Sequence, residues 1–237
     1  ADALTKLTPD ERRELYPLIG VERVAEIFAY LDDAEPYLKE LPIESAAKIV
    51  SEMDSDDAVD VLEEMDATTK HKIVGMLDKE ASDDVSLLFS YDDDEIGSRM
   101  TTNFIMIHNH LTIRQAMREL VEQAGENDNI STIYVIDEED KFYGAIDLKD
   151  LIIAREYTDL EDIISHSYPY VMDHEKVSDC IDKIRDYAED SIPVLQENGT
   201  IAGIITSQDI VEAVDDEMGD DYAKLAGLTA EEDLNET

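Results

Sequence analysis

Apolar and polar positions alternate with two different periods along this chain. Up to about residue 98 the period is helical. Ile43, Ala46, Ala47 and Val50 form one stripe, and Ala58, Val61, Leu62 and Met65 the next. Ile73, Met76 and Leu77, then Val85, Leu88 and Phe89, continue the series. An apolar residue followed by Asp recurs every twelve residues, at Met53-Asp54, Met65-Asp66 and Leu77-Asp78. Short helices punctuated by acidic caps predict a superhelical stack, because such helices need their neighbours to be stable. Thr8-Pro9-Asp10-Glu11 reads as a capped helix start, with proline at the first helical position.

Beyond residue 98 the pattern becomes strand, helix, strand, strand, helix, twice over. In the first unit Ile105–Ile107, Ile133–Ile136 and Phe142–Ile146 read as strands. Thr112 with Gln115 caps a helix whose apolar face is Ile113, Ala116, Met117, Leu120 and Val121. In the second, Tyr170–Met172, Ile192–Leu195 and Ile201–Thr206 are strands, the last two joined by a Glu197-Asn198-Gly199 turn. Val177, Cys180, Ile181 and Ile184 line its first helix. Thr206 and Asp209 form a capping box before Ile210, Ala213 and Val214. Val135 and Val194, Gly144 and Gly203, and Asp150 and Asp209 are each separated by 59 residues, the mark of a tandem repeat.

Composition changes this picture through charge. The 60 acidic residues outweigh 19 basic ones, a formal net charge of −41. Nucleic acid and anionic membrane surfaces are excluded as natural partners, since both require basic excess. Cations are the complementary class. A halophile's solvated acidic surface is the competing explanation. Against it, Asp56, Asp60 and Glu63 crowd one face of a helix that carries no lysine, although like charges there cost stability. The single Cys180 excludes an internal disulfide, and its apolar neighbours predict a buried thiol. No apolar run approaches membrane-spanning length. The five histidines contain no HExxH pattern, and His108 and His110, beside a strand end, read as a polar loop. No nucleophile–base arrangement or Walker loop argues for an enzyme.

The segments MDSDDAVDVLEEM, YDDDEIGSRMT, GAIDLKDLI, GIITSQDIVEAV and DDYAKLAGL, in this order, resemble the cytosolic region of MgtE-type magnesium transporters. The resemblance implies an α+β chain. An N-terminal all-α superhelical domain (1–98) precedes a tandem CBS-domain pair (99–158 and 159–216) and a connecting exit helix (217–237). It implies a regulatory homodimer, joined through the CBS pair, at the cytoplasmic face of the membrane. Its acidic faces would bind Mg²⁺ and gate the protein's own transmembrane domain. Matched to the family's metal positions are Asp56 and Asp60, then Asp209 and Glu212, then Glu217, Asp220 and Asp221. Lys149 and Asp150 match positions near the ribose of ATP in nucleotide-binding CBS proteins, with Asp147 where Ser or Thr is usual. A nucleotide-sensing CBS regulator is therefore the alternative function.

Overall fold

The computed structural model describes residues 3–31, 33–125, 127, 129–180, 189–207 and 209. The chain divides into two compact units, Ala1–Tyr91 and Asp92–Thr237.

Unit 1 contains helices α1 (Pro9–Ile19), α2 (Val21–Ala29), α3 (Glu35–Lys39), α4 (Ile43–Ser51), α5 (Ser55–Glu63), α6 (Ala67–Val74) and α7 (Lys79–Leu88). Their starts follow local chemistry. Thr8 and Glu11 form the reciprocal capping box of α1. Asp66 accepts from the Thr68 and Thr69 N–H groups at the start of α6, and Asp78 from Ala81 at the start of α7. Helices pack on the neighbour two along: α2 on α4, α4 on α6, α5 on α7. Phe28, Val50, Leu62, Ile73 and Leu88 are fully buried between them. Arg12 pairs with Glu40, and its Nη1 donates to the Leu4 carbonyl at 3.0 Å. Its guanidinium lies 4.9 Å from the Tyr37 ring centre. Burial of the neighbouring Tyr16 pushes its hydroxyl pKa up to about 12.

Three positions expected on apolar faces lie at the surface. Met76 is 49% exposed, beyond the end of α6 at Val74. Phe89 is 36% exposed, and Lys70 Nζ sits 3.9 Å from its ring centre, so a cation rather than the core covers it. Val121, in unit 2, is 69% exposed. It lies about 100° round the helix from Leu120, at the edge of a face whose centre is Ala116 and Leu120.

Unit 2 is two copies of one small sheet. In the first, β1 (Ile105–His108) runs parallel to β2 (Thr132–Ile136), which pairs antiparallel with β3 (Phe142–Asp147). In the second, β4 (Val171–Met172), β5 (Ser191–Leu195) and β6 (Ile201–Thr206) repeat the arrangement. Both carry a register shift at the same place, Val135/Ile136 and Val194/Leu195. Helix α8 (Ile113–Gln123), capped by Thr112 and Gln115, and α9 (Leu148–Ile153) pack on the first sheet. Cys180 is buried, as expected, and its thiol donates to Glu175 Oε2 at 3.0 Å. Ile181 and Ile184 fall outside the described residues.

The copies interlock through backbone. Thr101 exchanges two hydrogen bonds of 2.9 Å with Ile204 of β6. Ser165 does the same with Ala145 of β3, at 2.8 and 3.1 Å. These approaches explain the glycines of the repeat. A Cβ on Gly144 would come within 2.7 Å of the Ser165 carbonyl oxygen, and one on Gly203 within 2.8 Å of that of Thr101. The acidic segment before the first copy is also pinned, not a simple turn. Ile96 and Gly97 donate N–H bonds of 2.8 Å to the Glu175 and Asp173 carbonyls. Val177 donates to Asp94, and His174 Nδ1 lies 3.1 Å from Glu95 Oε1. Glu95 holds the His174 pKa above its ordinary value.

Between the sheets lies Tyr134, fully buried on the face of β2 opposite Ile133 and Val135, which join the α8 core. Its hydroxyl meets Ser191 Oγ of β5 at 2.7 Å, and Tyr168 donates to the Ser191 carbonyl at 2.8 Å. Burial raises the pKa of both tyrosines. Tyr134→Phe strands the Ser191 hydroxyl in an apolar setting. It should lower unfolding stability by about 1–2 kcal/mol, read from urea midpoints at constant slope. An unchanged midpoint would show that this hydrogen bond does not hold the copies together.

Candidate functional site

Asp56 and Asp60 lie on α5, one helical turn apart. Asp56 is half-buried and Asp60 exposed. The buried face is Ser55, Ala58, Val59, Val61 and Leu62, wider than the sequence pattern suggested because Val59 joins it. Acidic residues in the first turn suit the positive end of the helix. Those at its other end do not. Glu64, the C-cap residue, follows Asp60 by four positions.

Glu64 reports what surrounds this surface. Its pKa is raised, first by burial, then by the charge of Asp33, with Asp60 and Glu35 adding to it. A backbone hydrogen bond from Ala34 pulls the other way. Asp33, Glu35, Asp60 and Glu64 thus share one negative field, drawn from two separate stretches of chain. Lys39 offsets part of it, bonding Glu35 at 2.6 Å and lying 3.6 Å from Asp66. The i, i+4 spacing of Asp60 and Glu64 was a usable signal for Glu64. Nothing local pointed to Asp33.

In unit 2, Asp209 Oδ2 accepts from the Thr206 N–H at 2.7 Å, and the Asp209 N–H donates to Thr206 Oγ1 at 3.4 Å. The expected capping box is present, so one carboxylate oxygen already serves the helix start. Glu212, Glu217, Asp220 and Asp221 lie outside the described residues. Lys149 and Asp150 are exposed in the first turn of α9. There the cap is Asp147, whose Oδ1 accepts from the Lys149 N–H at 2.7 Å. A carboxylate at this cap places negative charge where a phosphate would approach.

Among the described residues, no group of three or more His, Cys, Asp or Glu side chains is arranged to hold a metal ion. No helix among them is long and apolar enough to cross a membrane. What the α5 surface offers chemically is hard oxygen donors, among them Glu64, whose ionisation burial and neighbouring negative charge disfavour. Such donors suit a hydrated divalent cation that needs few direct protein ligands.

Residues 1–94 match the family described as the MgtE intracellular N domain, and residues 94–157 and 160–216 match the CBS domain. The chain is similar to the magnesium transporter MgtE of Enterococcus faecalis. The two are 33% identical over 230 residues, 95% of this chain and 51% of that protein. Among solved structures, the soluble part of a magnesium transporter superposes with a TM-score of 0.84 at 32% identity. The match covers 90% of this chain and 85% of that one. The cytosolic domain of the Mg²⁺ channel MgtE in complex with ATP superposes with a TM-score of 0.79 at 28% identity, covering 88% and 86%. The chain spans about half or less of the length of the curated relatives it matches. These relatives are named as transporters, not enzymes.

A carboxyl whose folded pKa is raised opposes folding once ionised. The penalty is absent in acid and grows as pH rises through that pKa. Glu64→Gln should therefore stabilise the protein in chelator at neutral pH, by about 0.2–0.5 kcal/mol, the scale of one like-charge pair on a helix. The gain should vanish in acid. Thermal unfolding at the two pH values reads it, and an equal gain at both would mean that repulsion is not the cause.

Proposed function

The chain belongs to the MgtE family, as an intracellular N domain followed by a CBS-domain pair, and we propose that it is the Mg²⁺-sensing regulatory region of a magnesium transporter. The observation that carries this reading is the match of residues 1–94 to the MgtE intracellular N domain ahead of a CBS pair, and beside it stands Glu64, whose ionisation is opposed first by burial and then by the charge of Asp33, Asp60 and Glu35. A divalent cation relieves that repulsion where monovalent salt only screens it. Mg²⁺ takes oxygen ligands in octahedral geometry and keeps much of its water, so facing carboxylates serve it better than a closed cage.

In the mechanism, carboxylates of unit 1, Asp56 and Asp60, and of unit 2, Asp209 and Glu212, bind Mg²⁺ jointly. Glu217, Asp220 and Asp221 would add carboxylates of the same chemistry. Without Mg²⁺ the units repel and separate; with it they close, and closure gates the transmembrane domain of the full-length protein at the cytoplasmic face of the membrane. Moving a two-state equilibrium from 1:99 to 99:1 takes about 5.5 kcal/mol. Shared among about four to six ions, that is about 1 kcal/mol each, so weak sites suffice. The regulatory unit is a homodimer joined through the CBS pair. Exposed Val121 on α8 and Ile152 and Ile153 on α9 supply apolar surface for the second copy.

A second reading is favoured by one observation. Asp147, not Asp150, caps α9, which leaves Asp150 and Lys149 exposed in its first turn. These two would hold the ribose of ATP, the ligand in the related cytosolic-domain structure. The carboxylate of Asp147 requires the phosphates to arrive with Mg²⁺. Nucleotide and metal sensing then become one linked equilibrium.

Small-angle scattering separates metal bridging from screening. Mg²⁺ should shrink the radius of gyration at an ionic strength where KCl does not. Asp209→Asn should raise the Mg²⁺ midpoint. Identical shrinkage with KCl, or an unmoved midpoint, would contradict the reading.

A further inference from the structure

Two histidines outside the acidic surfaces have a geometry that the sequence did not disclose. His108 ends β1, and His110 follows in the turn after it. The turn is fixed by the Asn109 N–H, which donates to the Ile136 carbonyl at 2.9 Å. The two ring centres lie 5.3 Å apart, with planes 32° from parallel. His108 Nδ1 is 3.3 Å from the Asp137 carbonyl oxygen. A carbonyl can only accept, so Nδ1 is the donor, and in the neutral ring Nε2 presents the lone pair. Ligating histidines are commonly held this way, their second nitrogen donating to a backbone carbonyl.

We propose that His108 and His110 form a two-imidazole site for a borderline divalent transition-metal ion, of which Zn²⁺ is the working probe. A tetrahedral ion with Zn–N bonds of about 2.0–2.1 Å sets two ring centres about 5 Å apart, which matches the observed separation. Imidazole nitrogen selects zinc, nickel and copper over magnesium, which prefers oxygen. Water fills the remaining positions, since no third side chain among the described residues completes the set.

The repeat supplies an internal comparison. Ile136 and Leu195 are equivalent strand positions, and the Asp173 N–H bonds Leu195 as the Asn109 N–H bonds Ile136. His110 thus corresponds to His174 and His108 to Met172. In the second copy one imidazole is lost to a thioether, and the other is engaged by Glu95. The chelating pair is therefore a property of the first copy, not a requirement of the scaffold. It does not depend on the magnesium reading, because its ligands are not carboxylates.

The test is a Zn²⁺ titration of the 237-residue chain in excess Mg²⁺, following side-chain imidazole nitrogens by ¹H–¹⁵N NMR. The nitrogens of His108 and His110 should shift together, before those of His71, His166 and His174. His110→Gln should weaken the response of His108 by about tenfold or more, and His108→Gln that of His110. Backbone spectra check that both variants remain folded. Simultaneous response of all five histidines, or a response of either ring unchanged by loss of the other, would overturn the site and leave only general attraction of cations to an acidic chain.

Discussion

Like-charge repulsion is the constraint under which this structure is built. With 60 carboxylates and 19 basic side chains, most acids have no cation of their own. Unit 1 meets this in two ways. Some acids are placed where helix starts welcome them, as with Asp66 and Asp78. Others are gathered round a carboxyl whose ionisation is opposed first by burial and then by their charge, as at Glu64. A stability-optimised surface would intersperse lysines. Here Lys39 is engaged at Glu35 and Asp66, while Asp33 and Asp60 bear on Glu64. The fold survives because burial of Phe28, Leu62 and Leu88 outweighs a repulsion that water and salt moderate.

Unit 2 is held together by ties between its two copies. They are backbone bridges at Thr101–Ile204 and Ala145–Ser165, and Tyr134 reaching Ser191. Each tie joins one copy to the other. Symmetry sets the frame, and departures from it carry chemistry. Asp147 caps where Thr206 does, and His108 stands where Met172 does.

Much of this was legible in the residues because the deciding interactions are local. Capping boxes at Thr8, Thr112 and Thr206 depend on a partner three residues away, and all three are present. The 59-residue offset carried the tandem architecture, down to paired glycines that face each other's linkers. Illegible parts depend on contacts between distant stretches. Asp33 reaches Glu64 only through the helical stack, and Ser165 meets Gly144 only after the copies interlock. The ring separation of His108 and His110 and the carbonyl beside His108 are likewise invisible in sequence, where the two read as a polar loop. Met76 and Val121 are exposed although apolar, the first because α6 ends at Val74 before reaching it and the second because it sits at the edge of its helix's buried face.

The central claim is that a divalent ion, by relieving repulsion between carboxylates of the two units, draws them together. Spin labels on exposed Tyr30 of unit 1 and exposed Tyr157 of unit 2, each changed to Cys with Cys180→Ser, report the distance between units by pulsed dipolar spectroscopy. Titrated Mg²⁺ should replace a broad distribution by a narrow one. Asp56→Asn with Asp60→Asn should hold the distribution broad at the same Mg²⁺ concentration. A distribution that Mg²⁺ leaves unchanged, or one that narrows equally in the double variant, would contradict the account.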